Sequence, residues 1–237
     1  MSALPGSAEG TAVTGLDSSP VEPPPADLPP LTEQTRLEAR EIMARYPVAR
    51  SALLPMLHLV QSYQGYVTPE GVALCAEELG LTKAEVGAVA TFYTMYKRRP
   101  VGDYHVGVCT NTLCAVMGGD AIYAELRKHL GVEEQNGVTE DGKVSLEHVE
   151  CNAACDYAPV VMVNWEFFDN QTPESAKQLV DDLRDGRAVK PTRGADSVVT
   201  WKEAERVLAG FYDGRADEGV AAGPATLEGL RLSKEKA

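Results

Sequence analysis

Residues 104–114, YHVGVCTNTLC, alternate like a half-buried strand and then break into a turn that carries two cysteines. Residues 144–163, VSLEHVECNAACDYAPVVMV, repeat that arrangement: a strand pattern, two cysteines in a small-residue turn, then the apolar run VVMV. Between them, residues 118–130 show helical spacing of Ile122, Tyr123, Leu126 and Leu130. Thr172-Pro173-Glu174 opens a last helix, through Leu183 to Gly186. The order β-α-β-β-α, with strands at Tyr104–Cys109, Val144–Val149 and 159–163, predicts an α/β layer built on a mixed sheet.

Ahead of Pro100 the period is helical. Thr32 is placed to cap TEQTRLEAREIMARYP, with Glu33 in the first turn, where the helix dipole favours an acid. Residues 49–62 carry Leu53, Leu54, Leu57 and Val60 at helical spacing. Thr68 with Pro69 opens a third helix that Gly80 closes, and the capping box Thr82–Glu85 opens a fourth through about Lys97. The expected fold class is α+β: an N-terminal helical bundle over residues 31–99, an α/β domain over 100–189, and extended termini. Residues 1–30 hold 7 of the 15 prolines, four acids and no Lys or Arg, which predicts disorder. Residues 190–237 read as a weakly structured tail with one short helix capped by Thr200, striped by Trp201, Ala204, Leu208 and Phe211. A helix this short is marginal alone, so it is expected to order only against a partner or the domain face.

Composition narrows the function. With 22 Lys+Arg against 35 Asp+Glu, the chain has a net charge of −13, which argues against nucleic acid and anionic lipid as partners. No apolar run approaches the roughly 18 residues of a membrane span, and the N-terminus shows no secretory signal. No G-x-G-x-x-G or G-x4-G-K-[ST] pattern is present, so nucleotides are expected on a partner.

The five cysteines carry the chemistry. Cys109-x4-Cys114 and Cys151-x3-Cys155 each follow a strand, with 36 residues between the pairs. If the two strands are neighbours, both turns meet at one sheet edge and four thiolates converge. A two-iron cluster needs such a set, two sulfurs per iron, held by loops whose N–H groups can aim at sulfur. Neither loop carries Lys or Arg, and Asp156 follows the last cysteine, which predicts a low reduction potential. A structural zinc site also takes four thiolates, though commonly in C-x2-C knuckles, and two disulfides are the remaining reading. Cys75 sits on an apolar helical face and reads as packing. His58 and His105 read as core or surface residues rather than ligands. Phe92, Tyr93, Met95 and Tyr96 cover more than one helix face, part core and part partner surface.

At CTNTLC, at VECNAACDYAPVVMVN, and in the helical half at ALLPMLHLVQSYQGYVTPE and AVATFYTMY, the chain resembles the thioredoxin-like [2Fe-2S] ferredoxins of respiratory NADH dehydrogenases. These are the bacterial E subunits and their mitochondrial 24-kDa-type counterparts. The resemblance covers about residues 35–187. It implies a thioredoxin-like fold and one [2Fe-2S] cluster, with Cys109 and Cys114 on one iron and Cys151 and Cys155 on the other. It also implies an electron-transfer role in an NADH:quinone oxidoreductase (translocase), next to an NADH- and FMN-binding subunit and further iron–sulfur subunits. The chain would then be peripheral on the cytoplasmic face of the cell membrane, with no catalytic residue, NADH site or quinone site of its own. The same domain recurs in the diaphorase part of NAD-linked hydrogenases and formate dehydrogenases. Where the family often has Leu-Gly, this chain has Asn152-Ala153, and Ala costs backbone freedom if φ is positive there. Thioredoxin-like folds often place a cis-proline before the strand at the active edge, which points at Ala158-Pro159.

Overall fold

The computed structural model describes residues 28–133 and 137–235. Of residues 1–30, expected to be disordered, residues 1–27 lie outside the described residues, while Pro29 O accepts from Gln64 Nε2 at 3.1 Å.

Four helices come first: α1 (Glu33–Met43), α2 (Leu53–Gln64, preceded by a 3-10 turn at Ala49–Ala52), α3 (Pro69–Leu79) and α4 (Lys83–Phe92). Thr68 Oγ1 accepts from Gly71 N, and Thr82 and Glu85 close a reciprocal capping box. Gly65 and Gly80 end α2 and α3 in the left-handed conformation. Ala39, Ile42, Met56, Leu57, Val60, Leu74 and Val86 form the core of this half. Helix α4 stops at Phe92, five residues before the position expected from its pattern. Gln61 of α2 explains the break: it donates to Met95 O (3.2 Å) and accepts from Lys97 N (2.6 Å), holding residues 93–97 out of the helix. The aromatic run divides accordingly. Tyr96 is buried, whereas Phe92 and Tyr93 are exposed.

The second half is a five-stranded sheet in the order β2-β3-β1-β4-β5. Its strands are β1 (Tyr104–Cys109), β2 (Gly137–Val138), β3 (Val144–Val149), β4 (Val161–Val163) and β5 (Glu166–Phe168). Strands β1 and β3 run parallel, while β1–β4, β4–β5 and β2–β3 are antiparallel. Strands β2 and β5 were not evident in the sequence pattern. Two helices, α6 (Gly119–Leu130) and α7 (Pro173–Arg184), supply Ile122, Leu126, Ala176, Val180 and Leu183 to a core with Val106, Val108, Val144, Leu146, Val161 and Val163. The helix expected from residue 118 thus begins at Gly119. A further short helix, α5 (Thr112–Val116), takes up part of the turn expected to be irregular.

Period-2 alternation sends His105, Ser145 and Glu147 to the opposite sheet face. That face is also covered. The Lys97 ammonium pairs with Glu147, and His105 packs against Trp165 and Trp201 at centroid distances of 5.7 and 5.5 Å. Burial, and then the nearby Lys97 charge, pushes His105 below its ordinary value. Burial works against the Glu147 carboxylate, yet His105 and Lys97 outweigh it and hold the group at about 2.

The segment after residue 190 is not weakly structured. It runs back across both halves, with Thr192 N donating to Phe167 O (2.9 Å) and Trp201 N to Asp103 O (2.7 Å). Helix α8 (Trp201–Leu208) then lies on α2, capped by Thr200 as expected. Trp201 is 1% exposed and its indole donates to Gly65 O at 2.7 Å. The buried stripe also contains an acid that a hydrophobic pattern does not show. Glu205 is fully buried and meets His58, Gln61 and Trp165. A last helix, α9 (Pro224–Glu235), buries no residue. Among the described residues no helix is long and apolar enough to cross a membrane.

Candidate metal centre

The parallel register of β1 on β3 pairs Cys109 with Val149, so both strands end at the same edge of the sheet. Thr110 N donates to Val149 O and Cys109 N to Val160 O, each at 3.1 Å, which fastens the two turns side by side. This is the condition the sequence left open. The turn after β1 enters α5, whose N-cap Asn111 accepts from Thr112 N at 2.7 Å, and α5 carries Cys114. Helix α6 begins hard against this turn. A Cβ on Gly119 would stand 2.4 Å from the Cys109 carbonyl oxygen and 2.9 Å from that of Cys114, so only glycine fits.

The turn after β3 holds Cys151 and Cys155. Ala153 between them has φ +52°, the positive value at which Ala is at a disadvantage to Gly. Its N–H donates to Cys151 Sγ at 3.3 Å. Cys155 opens a 3-10 turn, and the Ala158–Pro159 bond that follows is cis.

The thiols meet in pairs. Cys109 and Cys114 are buried in one small apolar cluster with Ala154, Ala158 and Val160, whereas Cys151 and Cys155 are exposed. The Cys114 thiol is pushed up to about 11, first by burial and then by the adjoining Cys109, while the Val160 N–H opposes the shift. Cys155 is raised too, first by desolvation and then by Cys151 beside it, with Cys109 adding to the effect. Each group thus feels a sulfur of the other pair, which links all four. Among the described residues no group of three or more His, Cys, Asp or Glu side chains is set to hold a metal ion.

The donor set suits a thiolate-ligated group. Four sulfurs share one sheet edge, the Ala153 N–H points at one of them, and close neighbours favour the protonated Cys114 and Cys155 thiols until a cation displaces the protons. The Cys109 thiol donates to Glu150 O at 3.7 Å, a weak bond that metal ligation would replace.

The other candidates play no part here. Cys75 is 0% exposed and burial pushes its thiol up to about 12, as expected of a packing residue. His58 and His105 are buried in hydrogen-bonded pairs, with Glu205 Oε2 (2.6 Å) and Ser145 Oγ (3.0 Å).

A family model for thioredoxin-like [2Fe-2S] ferredoxins matches residues 39–184. The chain belongs to the thioredoxin-like [2Fe-2S] ferredoxin family. Among family members it is similar to the E subunit of the Mycobacterium tuberculosis NADH-quinone oxidoreductase, 58% identical over 217 residues, which is 91% of this chain and 85% of that one. The corresponding E subunit from Rickettsia bellii is 39% identical over 62% of this chain and 89% of its own. The fold also resembles the crystal structure of an NAD+-reducing [NiFe]-hydrogenase, with a TM-score of 0.50 and 19% identity. That alignment covers 56% of this chain and spans 23% of the hydrogenase chain.

Proposed function

We propose that this chain is the [2Fe-2S] electron-transfer subunit of a respiratory NADH-quinone oxidoreductase, with Cys109, Cys114, Cys151 and Cys155 as the cluster ligands. The observation that carries the reading is the Cys109–Val149 register, which delivers two cysteine turns to one sheet edge. The x4 and x3 spacings, in place of the C-x2-C knuckles common at zinc, and the family match over residues 39–184 favour two metal ions with two sulfurs each over one tetrahedral zinc. A bound [2Fe-2S] cluster takes up and returns one electron. The chain's own residues bury one ligand pair, expose the other, and aim the Ala153 N–H at sulfur.

The likeness to the mycobacterial E subunit across most of both chains favours the respiratory complex over a hydrogenase diaphorase. The electron would come from the flavin of an adjacent NADH-binding subunit. Two features suit docking against such a partner. Helix α5 carries the ligand Cys114 and exposes Leu113, Val116 and Met117 beside it. Cys151 and Cys155 lie open at the same edge. Attachment to the membrane would then come through other subunits.

Affinity purification of the full chain with metal analysis tests the reading. Two irons and two sulfides per chain, a paramagnetic signal on dithionite reduction, and co-purification of a flavin-binding NADH subunit are expected. A colourless chain with one zinc would overturn it.

A further inference from the structure

Asn152 stands between the ligand Cys151 and the positive-φ Ala153, and its side-chain Nδ2 is buried without a hydrogen-bond partner. Two other buried side-chain nitrogens share that condition among the described residues, and each has a charged neighbour. His105 Nε2 lies 3.0 Å from Glu147 Oε2, outside hydrogen-bond geometry, and the Arg193 guanidinium donates to Asp169 through Nη2. Asn152 has neither.

A primary amide carries two N–H donors, and burying a donor unpaired forfeits its hydration without a return. Native structures rarely keep such an orphan without a missing partner such as water or an ion. Here the residue on its N-terminal side is Cys151, one of the four cysteines at the sheet edge. The same three-residue turn already directs the Ala153 N–H to Cys151 Sγ. We propose that Asn152 Nδ2 donates a hydrogen bond to a sulfur of the bound [2Fe-2S] cluster, either the Cys151 thiolate or a bridging sulfide. This inference rests on the ligand assignment proposed above.

The consequence is electrostatic. Reduction adds one negative charge to an already anionic group, and an N–H dipole stabilises the reduced form more than the oxidised one. No Lys or Arg lies within either cysteine loop, so neutral donors such as Asn152 are the compensation these loops supply. Asn152 therefore raises the reduction potential above that of an otherwise identical loop with an apolar residue.

Redox titration followed by electron paramagnetic resonance, on the full chain with its cluster, tests this through Asn152→Leu and Asn152→Asp. Leu keeps the branching at Cγ and removes both donors; Asp keeps the shape and adds a charge. At a fixed poise, the reduced-to-oxidised ratio is expected to fall about tenfold in the Leu variant, equal to about 59 mV for a one-electron couple. Asp should fall at least as far. Full cluster content with an unmoved midpoint in both variants would overturn the proposal, as would lower thermal stability with no change in midpoint. Should neither variant hold a cluster, the chain with its native Asn152 and 15N in its asparagine side chains decides, in an Asn111→Asp background. Pulsed paramagnetic resonance is then expected to show nitrogen coupling to the reduced cluster, and its absence would sink the donor. A wild-type chain without any cluster signal would instead overturn the ligand assignment.

Discussion

Glu205 of α8 accepts a 2.6 Å hydrogen bond from Gln61 of α2, across 144 residues of sequence. The same carboxylate meets His58 Nδ1 at 2.6 Å and takes the Trp165 indole N–H at 2.9 Å, so one acid joins the helical half, the β4–β5 turn and the C-terminal segment. Removing it leaves several buried donors unmatched. Glu205→Ala is therefore expected to cost about 3–5 kcal/mol, the range for breaking a buried charged network from one side. Glu205→Gln, which keeps one acceptor oxygen, should cost less. Chemical denaturation of the three proteins checks the order.

The second tie on α8 is exposed to pH. Arg206 donates to both oxygens of Glu38, at 3.0 and 2.9 Å, and Tyr63 adds a hydroxyl at 3.1 Å. Arg206 leads in holding Glu38 below its ordinary value of 4.5 against the opposing effect of burial. A depressed carboxylate contributes stability that is complete above the unfolded value and is lost as pH falls through the folded one. The Arg206 side chain is 41% exposed, so solvent screening limits the pair to about 1 kcal/mol. Arg206→Met should therefore be less stable than wild type at neutral pH, and the gap should close below about pH 4. A gap constant down to pH 3 would reject the pairing as its source.

Unequal burial of the last two helices predicts the order of proteolysis. Helix α9 buries nothing, whereas α8 is held by Trp201 and Glu205. Trypsin acting on the isolated chain should cut at Arg231 and Lys234 well before Lys202 and Arg206, because cleavage requires local opening. Equal rates at the two helices would show that α8 docks only in the presence of a partner.

The strands and helices around the cysteines were legible because period and capping act locally. The turn joining β4 to β5 was not. Asn164 and Trp165 both take positive φ, 48° and 75°, as a two-residue hairpin requires, yet the pair lacks the Asn-Gly signal of such turns. Tertiary bonds compensate: Asn164 bonds to His105 N, Asp103 O and Val199 O, and Trp165 to Glu205. Glu205 was equally hidden, since an acid within a buried stripe reads as solvent-facing until its partners are known. At the candidate metal centre the four cysteines and their spacing were readable. Their meeting depended on β1 and β3 being parallel neighbours, which is a property of the sheet and not of either strand.

Ala153 gives a direct test of local strain. At φ +52° an L-residue with a Cβ is disfavoured by about 1–2 kcal/mol. Glycine loses that penalty but gains freedom in the unfolded chain, which returns part of it. Ala153→Gly is expected to stabilise the loaded chain by about 0.5–1 kcal/mol, seen as slower bleaching of the visible chromophore in denaturant. Faster bleaching would mean that the Cβ makes a contact worth more than the strain.

The ligand assignment predicts a sharp contrast among the five cysteines. Serine in place of Cys109, Cys114, Cys151 or Cys155 removes a soft thiolate and should strongly lower iron and sulfide content. The buried pair should be the more sensitive, because a hydroxyl among Ala154, Ala158 and Val160 also lacks a partner. Cys75 belongs to the other core, with Leu57, Val60 and Leu74, so Cys75→Ser should cost about 1–3 kcal/mol of stability and leave iron content unchanged. Metal analysis alongside thermal denaturation separates the two kinds of loss. Depletion of iron by Cys75→Ser in a chain that remains folded would refute the assignment.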